Sequence, residues 1–144
     1  MYRTIVLAYE GSESSAQALR QGVELARLCK SQLHLLGIAV TTGGMAIAES
    51  VGPQDVWGSA RQNAFELLAR TVLDIGPLHP PVISCVRQGE PAIEIARYVQ
   101  DVDADLLVLG HTGKGLFSRW FQGSVGIKLL NELPCSVLVA SAVV

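Results

Sequence analysis

Apolar residues gather in five short runs along the chain, at residues 4–9, 33–40, 81–86, 105–109 and 136–140, and each run predicts a β-strand. Two of them, Ile5-Val6-Leu7-Ala8 and Leu106-Leu107-Val108-Leu109, are continuously apolar rather than alternating. A strand with one wet face alternates, whereas a strand covered on both faces does not, so these two belong in a parallel sheet between helix layers. The intervening stretches carry the helical period instead. Ala16, Leu19, Val23 and Ala26 recur three or four apart and form one apolar stripe. Ser14 and Gln17 have the S-x-x-Q spacing of a capping box, which predicts where this first helix begins. A second helix is predicted over residues 58–73, with Ala64, Leu67, Leu68, Thr71 and Val72 inward. A third opens at Glu90-Pro91, since proline lacks only an amide that the first turn leaves unpaired, and runs to near Gln100. The last covers residues 124–133, anchored by Leu129, Leu130 and Leu133 and closed by Pro134.

The resulting order is βαβαβαβαβ. Right-handed crossovers fold such an order into a three-layer α/β sandwich, with helices on both faces of a five-stranded parallel sheet. Ligands then bind outside the carboxyl ends of the strands, where the direction of winding reverses. Residues 41–57 contain Gly43-Gly44 and Gly52-Pro53 and show no period. They predict a mobile connection and a candidate lid beside the crevice, because long structureless loops in compact domains are commonly functional. There is no internal repeat.

Composition narrows the picture. A length of 144 residues corresponds to one domain, spanning residues 1–144. With 49% hydrophobic and 17% charged residues the chain is not disordered, and the mean hydropathy of +0.35 suits a surface partly covered by a partner. Thirteen acidic against eleven basic side chains give a net charge of −2, which, without a basic stripe, excludes a nucleic-acid binder. The longest uncharged stretch, residues 31–48, is broken by Ser31, Gln32, His34, Thr41, Thr42, Gly43 and Gly44, so no membrane span is expected. The amino terminus enters the first strand without a leader-like core or a small-residue cleavage site, and the expected location is cytoplasmic. Cys29, Cys85 and Cys135 lie far apart among apolar neighbours, without a CxxC pair, and read as buried free thiols.

The chemistry concentrates after the fourth strand, in Gly110-His111-Thr112-Gly113-Lys114-Gly115 and on to Gly123-Ser124-Val125. Glycines at a strand-to-helix junction let the backbone approach a phosphate, and amides at a helix start carry positive potential. Ser124 adds a hydroxyl, which serves equally as a helix cap if no ligand is bound. The loop is not a Walker A motif, because Leu116 and Phe117 occupy the Lys and Ser/Thr positions, and it is not G-x-G-x-x-G. On these grounds alone nucleotide binding and a plain tight turn stand level.

Gly110-x2-Gly113-x9-Gly123-Ser124 matches the G-2x-G-9x-G-(S/T) signature, and the whole chain resembles the universal stress protein family. The likeness includes Ile5-Val6-Leu7-Ala8-Tyr9-Glu10-Gly11-Ser12-Glu13, similar to that family's first strand and its aspartate-glycine-serine turn. It extends to Leu33-His34-Leu35-Leu36-Gly37-Ile38 and to the closing Leu133-Pro134-Cys135-Ser136-Val137-Leu138-Val139. The resemblance implies a Rossmann-like sheet of strand order 3-2-1-4-5 and an ATP-binding member of the family. By similarity, Gly110, Gly113, Gly123 and Ser124 would hold the phosphates, with Lys114, Gly115 and Val125 adjoining. Backbone atoms of Ile38 would meet the adenine edge, and Ala8, Tyr9 and Glu10 would line the base and ribose. Mg²⁺ would accompany the phosphates and keep mostly water ligands. Glu10 stands where the family has Asp, so its carboxylate either contacts the ribose from a longer stem or simply favours the positive end of the following helix.

His111 has no Ser, Cys or carboxylate spaced to make a catalytic set, and His34 and His79 form no metal cluster. Trp120 and Phe121 read as packing under the loop rather than as a base-stacking pair. The final strand continues through Ser141-Ala142-Val143-Val144 with neither charge nor proline, which predicts a homodimer through that edge, as the resemblance also implies. Three functions follow in order: an ATP-binding stress or signalling protein that contacts a protein partner, a non-nucleotide dimeric scaffold, and a metabolic enzyme on a similar sheet. No metal is held by protein side chains alone, no catalytic residue is identifiable, and any ATP hydrolysis is expected to be slow.

Overall fold

The computed structural model describes residues 1–40, 53–111 and 124–141. Five strands, β1 (Thr4–Ala8), β2 (Gln32–Val40), β3 (Ile83–Gly89), β4 (Leu106–His111) and β5 (Ser136–Ser141), form one parallel sheet. Its order is β3-β2-β1-β4-β5, as the resemblance implies. Four helices alternate with them: α1 (Glu13–Cys29), α2 (Pro53–Ile75), α3 (Pro91–Asp101) and α4 (Ser124–Glu132). The winding reverses at β1, which pairs with β2 on one side and β4 on the other.

The unbroken apolar runs have the explanation their pattern predicts. Along β1, Ile5 and Leu7 join Leu33, Leu35, Leu106 and Val108 on the face under α1 and α2, against Ala18, Val23, Ala26 and Leu68. Val6 and Ala8 point the other way, with Leu36, Leu107 and Leu109, against Ala92, Ile95, Ala96 and Val99 of α3. Successive side chains alternate faces, and here both faces are dry. Leu129, Leu130 and Leu133, the anchors predicted for α4, pack on the α3 side.

Two helix starts differ from the sequence reading. Helix α1 is capped by Ser12 rather than Ser14: the Ser12 side chain accepts from the Ser15 amide, and the helix proper begins at Glu13. The cause is Gly11, whose φ of +84° turns the chain so that Ser12 takes the extended geometry of a cap. Helix α2 begins at Pro53, five residues before the predicted Gly58, so residues 53–57 of the supposed loop are helical. Proline is suited to a first helical turn, and the glycine-proline pair marks the start of the helix rather than part of a loop. Residues 41–52, the rest of the candidate lid, lie outside the described residues.

At the amino ends of the strands, Asp105 ties the two halves of the sheet together. Its carboxylate accepts from the amides of Arg3 at 2.8 Å and Thr4 at 3.1 Å, while its own amide donates to the Thr4 carbonyl at 3.0 Å. All three cysteines are free thiols and partly rather than fully buried, and burial pushes the Cys135 thiol up. Among the described residues no helix is long and apolar enough to cross a membrane.

Candidate functional site

A cleft of about 210 Å³ opens at the carboxyl ends of β1 and β2. Tyr9, Glu10 and Ile38, three of the residues assigned by sequence, line it together. Its floor includes Gly37, and its far wall is the face of α2 formed by Ala60, Asn63, Ala64 and Leu67, with Leu68 beneath. Two glycines let α2 sit this low. A Cβ on Gly37 would stand 3.3 Å from Cδ1 of Leu68, and one on Gly11 would stand 3.2 Å from Cδ2 of Leu67.

The backbone at the cleft follows from where β1 stops. The Tyr9 amide donates to the Leu36 carbonyl at 2.9 Å, so Leu36 turns its main-chain groups toward β1. Backbone groups alternate sides along a strand, and Ile38, two residues further, directs its own toward the same flank. The pairing with β2 runs from Thr4 to Ala8, and Ile38 lies beyond it. Its donor and acceptor therefore face the cleft rather than a neighbouring strand.

Glu10 is exposed, and its Oε1 accepts from the Ser12 hydroxyl at 3.0 Å. The same Ser12 oxygen receives the Ser15 amide at 3.3 Å, and Ser15 Oγ donates to the Ser12 carbonyl at 2.8 Å. Glu10 thus lies just before the cap of α1 and lines the cleft. Among the described residues it is the one acidic side chain on that lining. Among the described residues no cluster of three or more His, Cys, Asp or Glu side chains is arranged to hold a metal.

The other assigned residues divide. Ala8 is fully buried as the last residue of β1, with its side chain packed on the α3 face of the sheet rather than on the cleft lining. Gly110 is buried in β4, opposite Ala140 of β5. The register of Leu7 with Val108 sets the ends of β1 and β4 side by side, which brings Gly110 to the same end of the sheet as Tyr9. Ser124 and Val125 begin α4, as predicted. Gly113, Lys114, Gly115 and Gly123 lie outside the described residues.

Sequence reading missed the α2 wall. Ala60, Asn63, Ala64 and Leu67 are spaced i, i+3, i+4, i+7, so the helical period does place them on one face. What it could not indicate is that this face extends past the sheet core and over the strand ends. A second omission lies on the opposite sheet face, where His34 Nδ1 and the Tyr98 hydroxyl are 2.8 Å apart. Burial holds the His34 pKa down and pushes Tyr98 up to about 12. Arg87 covers the Tyr98 ring at 5.0 Å and pairs with Asp101 at 3.1 Å. This group is a structural network away from the cleft.

Residues 1–141 match the model of the universal stress protein family. A Thermus aquaticus universal stress protein, from the QAH/OAS sulfhydrylase 3′ region, is 28% identical over 142 residues, covering 96% of this chain and 98% of its own. The crystal structure of an Arabidopsis thaliana universal stress protein family member with AMP bound superposes with a TM-score of 0.63 at 16% identity, covering 98% of this chain and 92% of that one. A universal stress protein crystallised in complex with cAMP gives a TM-score of 0.61 at 20% identity, covering 99% and 98%.

Proposed function

This chain belongs to the universal stress protein family, and from that premise we propose that it binds an adenine nucleotide, ATP with Mg²⁺, and acts in signalling or stress protection. The observation that carries the reading is the cleft at the ends of β1 and β2, where Tyr9, Glu10 and the backbone of Ile38 meet. It opens beside the strand at which the winding reverses, the place where open α/β sheets bind ligands. Relatives of the same fold carry AMP or cAMP. In this reading the base enters the cleft and the ribose passes Glu10. The phosphates reach the segment from Gly110 through Gly113, Lys114, Gly115 and Gly123 to Ser124 and Val125. Glu10 supports the hydrated Mg²⁺ that screens the phosphate charge.

No general base or arginine finger is assigned, so turnover of ATP is slow or absent and the nucleotide state is what a protein partner reads. The work place proposed is the cytoplasm, in keeping with three unpaired thiols.

Mass spectrometry of small molecules released from the native protein, then calorimetric titration of ATP and Mg²⁺ into the stripped protein, tests this. Recovered adenine nucleotide and saturable binding are expected, with binding abolished in the folded double variant Gly113→Val, Ser124→Ala. An empty protein that ignores ATP would leave a non-nucleotide scaffold as the function.

A further inference from the structure

Base selectivity in this chain has a source on α2. Asn63 lies one turn before Leu67, whose Cδ2 would stand 3.2 Å from a Cβ on Gly11, and side chains four apart share a helix face. That shared face brings Asn63 into the lining of the cleft, which it forms together with Ile38. Its carboxamide is exposed, and among the described residues it makes no hydrogen bond. Around it the wall is small or apolar: Ala60, Ala64 and Leu67 offer no side-chain donor or acceptor. At about 210 Å³ the cleft is smaller than the roughly 300–1,000 Å³ usual for a whole small-molecule ligand. It suits one planar heterocycle, with the rest of the ligand outside.

We infer that Asn63 is a specificity-determining residue that reads the N6/N7 edge of a bound adenine. An amide oxygen and amide nitrogen match that edge in a bidentate pair, the oxygen accepting from the exocyclic amino group and the nitrogen donating to N7. The backbone of Ile38 is left for the N1/N6 edge, whose second amino hydrogen and ring nitrogen match a carbonyl and an amide. A hypoxanthine base presents oxygen at position 6, so the Asn63 oxygen would face another acceptor. The inference rests on adenine-nucleotide binding at this cleft and adds the residue that selects the base.

The test is a thermodynamic cycle by calorimetry, with ATP and 7-deaza-ATP against the wild-type chain and Asn63→Ala, and with ITP as a third ligand. Wild type should bind ATP roughly tenfold or more tightly than 7-deaza-ATP and ITP, within the usual worth of one bidentate base contact. Asn63→Ala should bind ATP and 7-deaza-ATP alike, its preference over ITP reduced. Equal losses for ATP and 7-deaza-ATP in the variant would make Asn63 a packing residue and overturn the inference. Unchanged affinities would overturn it as well, leaving nucleotide binding intact. If wild type binds none of the three ligands, both this assignment and the reading beneath it fall. Asn63→Asp, close in shape, keeps the acceptor and loses the donor, and should behave like Asn63→Ala toward 7-deaza-ATP.

Discussion

His34 shows how much one side chain can conceal. In sequence it is a polar interruption in an apolar run, and its separation from His79 and His111 says only that it is not a metal ligand. In the fold it is buried beside Tyr98 of α3, with Arg87 of β3 over the same tyrosine ring and Asp101 beyond. The partner lies 64 residues away, a distance no local pattern reports. Burial lowers the His34 pKa below the value of about 6.5 that it has in an unfolded chain. Between those two values the unfolded chain takes up a proton that the folded chain refuses. The resulting stability is therefore complete above about pH 6.5 and is lost as the pH falls through the folded pKa. Thermal midpoints measured from pH 8 to pH 5 should decline toward acid, and His34→Gln should flatten that decline while lowering the plateau. A variant with the same acid slope as the wild type would contradict this account.

At the scale of elements, the alternation of strands and helices was readable because the central strands β1 and β4 are dry on both faces and the helices between strands show an apolar stripe. Among the described residues the five strands and four helices lie where those patterns place them, with shifts at the beginnings of α1 and α2 and in β3, which runs over Ile83–Gly89 rather than residues 81–86. The helix shifts came from backbone geometry: the positive φ of Gly11 sets the cap, and Pro53 opens a helix seven residues before its first lining residue of the cleft, Ala60. The candidate site was half legible. Tyr9, Glu10 and Ile38 came from the family resemblance, whereas the α2 wall depends on how closely a helix can approach two glycines. Leu68 is the pivot of that approach, 2% exposed and against Gly37. Leu68→Ala should cost about 2–5 kcal/mol in denaturant unfolding, as a cavity replaces the contact. Because the same contact seats α2, the variant should also lose nucleotide affinity, whereas an equally destabilising change under α3, such as Ile95→Val with Val99→Ala, should not.

For the whole molecule, the strand order leaves two edges, β3 and β5. They are unequally guarded. β3 follows Pro80-Pro81 and carries Arg87, both of which discourage another strand from docking, while β5 has no charged residue or proline from Ser136 to Ser141. We therefore propose a homodimer interface at β5. Sedimentation at micromolar concentration should give a dimer, and Val139→Lys should give a folded monomer. A dimer that ignores this substitution would move the interface elsewhere. The Asp105 clasp lies at the other pole from the ligand cleft, joining amides more than a hundred residues away in sequence. It sets the alignment of β1 against β4 without reference to anything at the mouth. The molecule thus keeps its alignment and its opening in separate hands: one carboxylate at the opposite end holds the halves in step whichever side chains surround the opening.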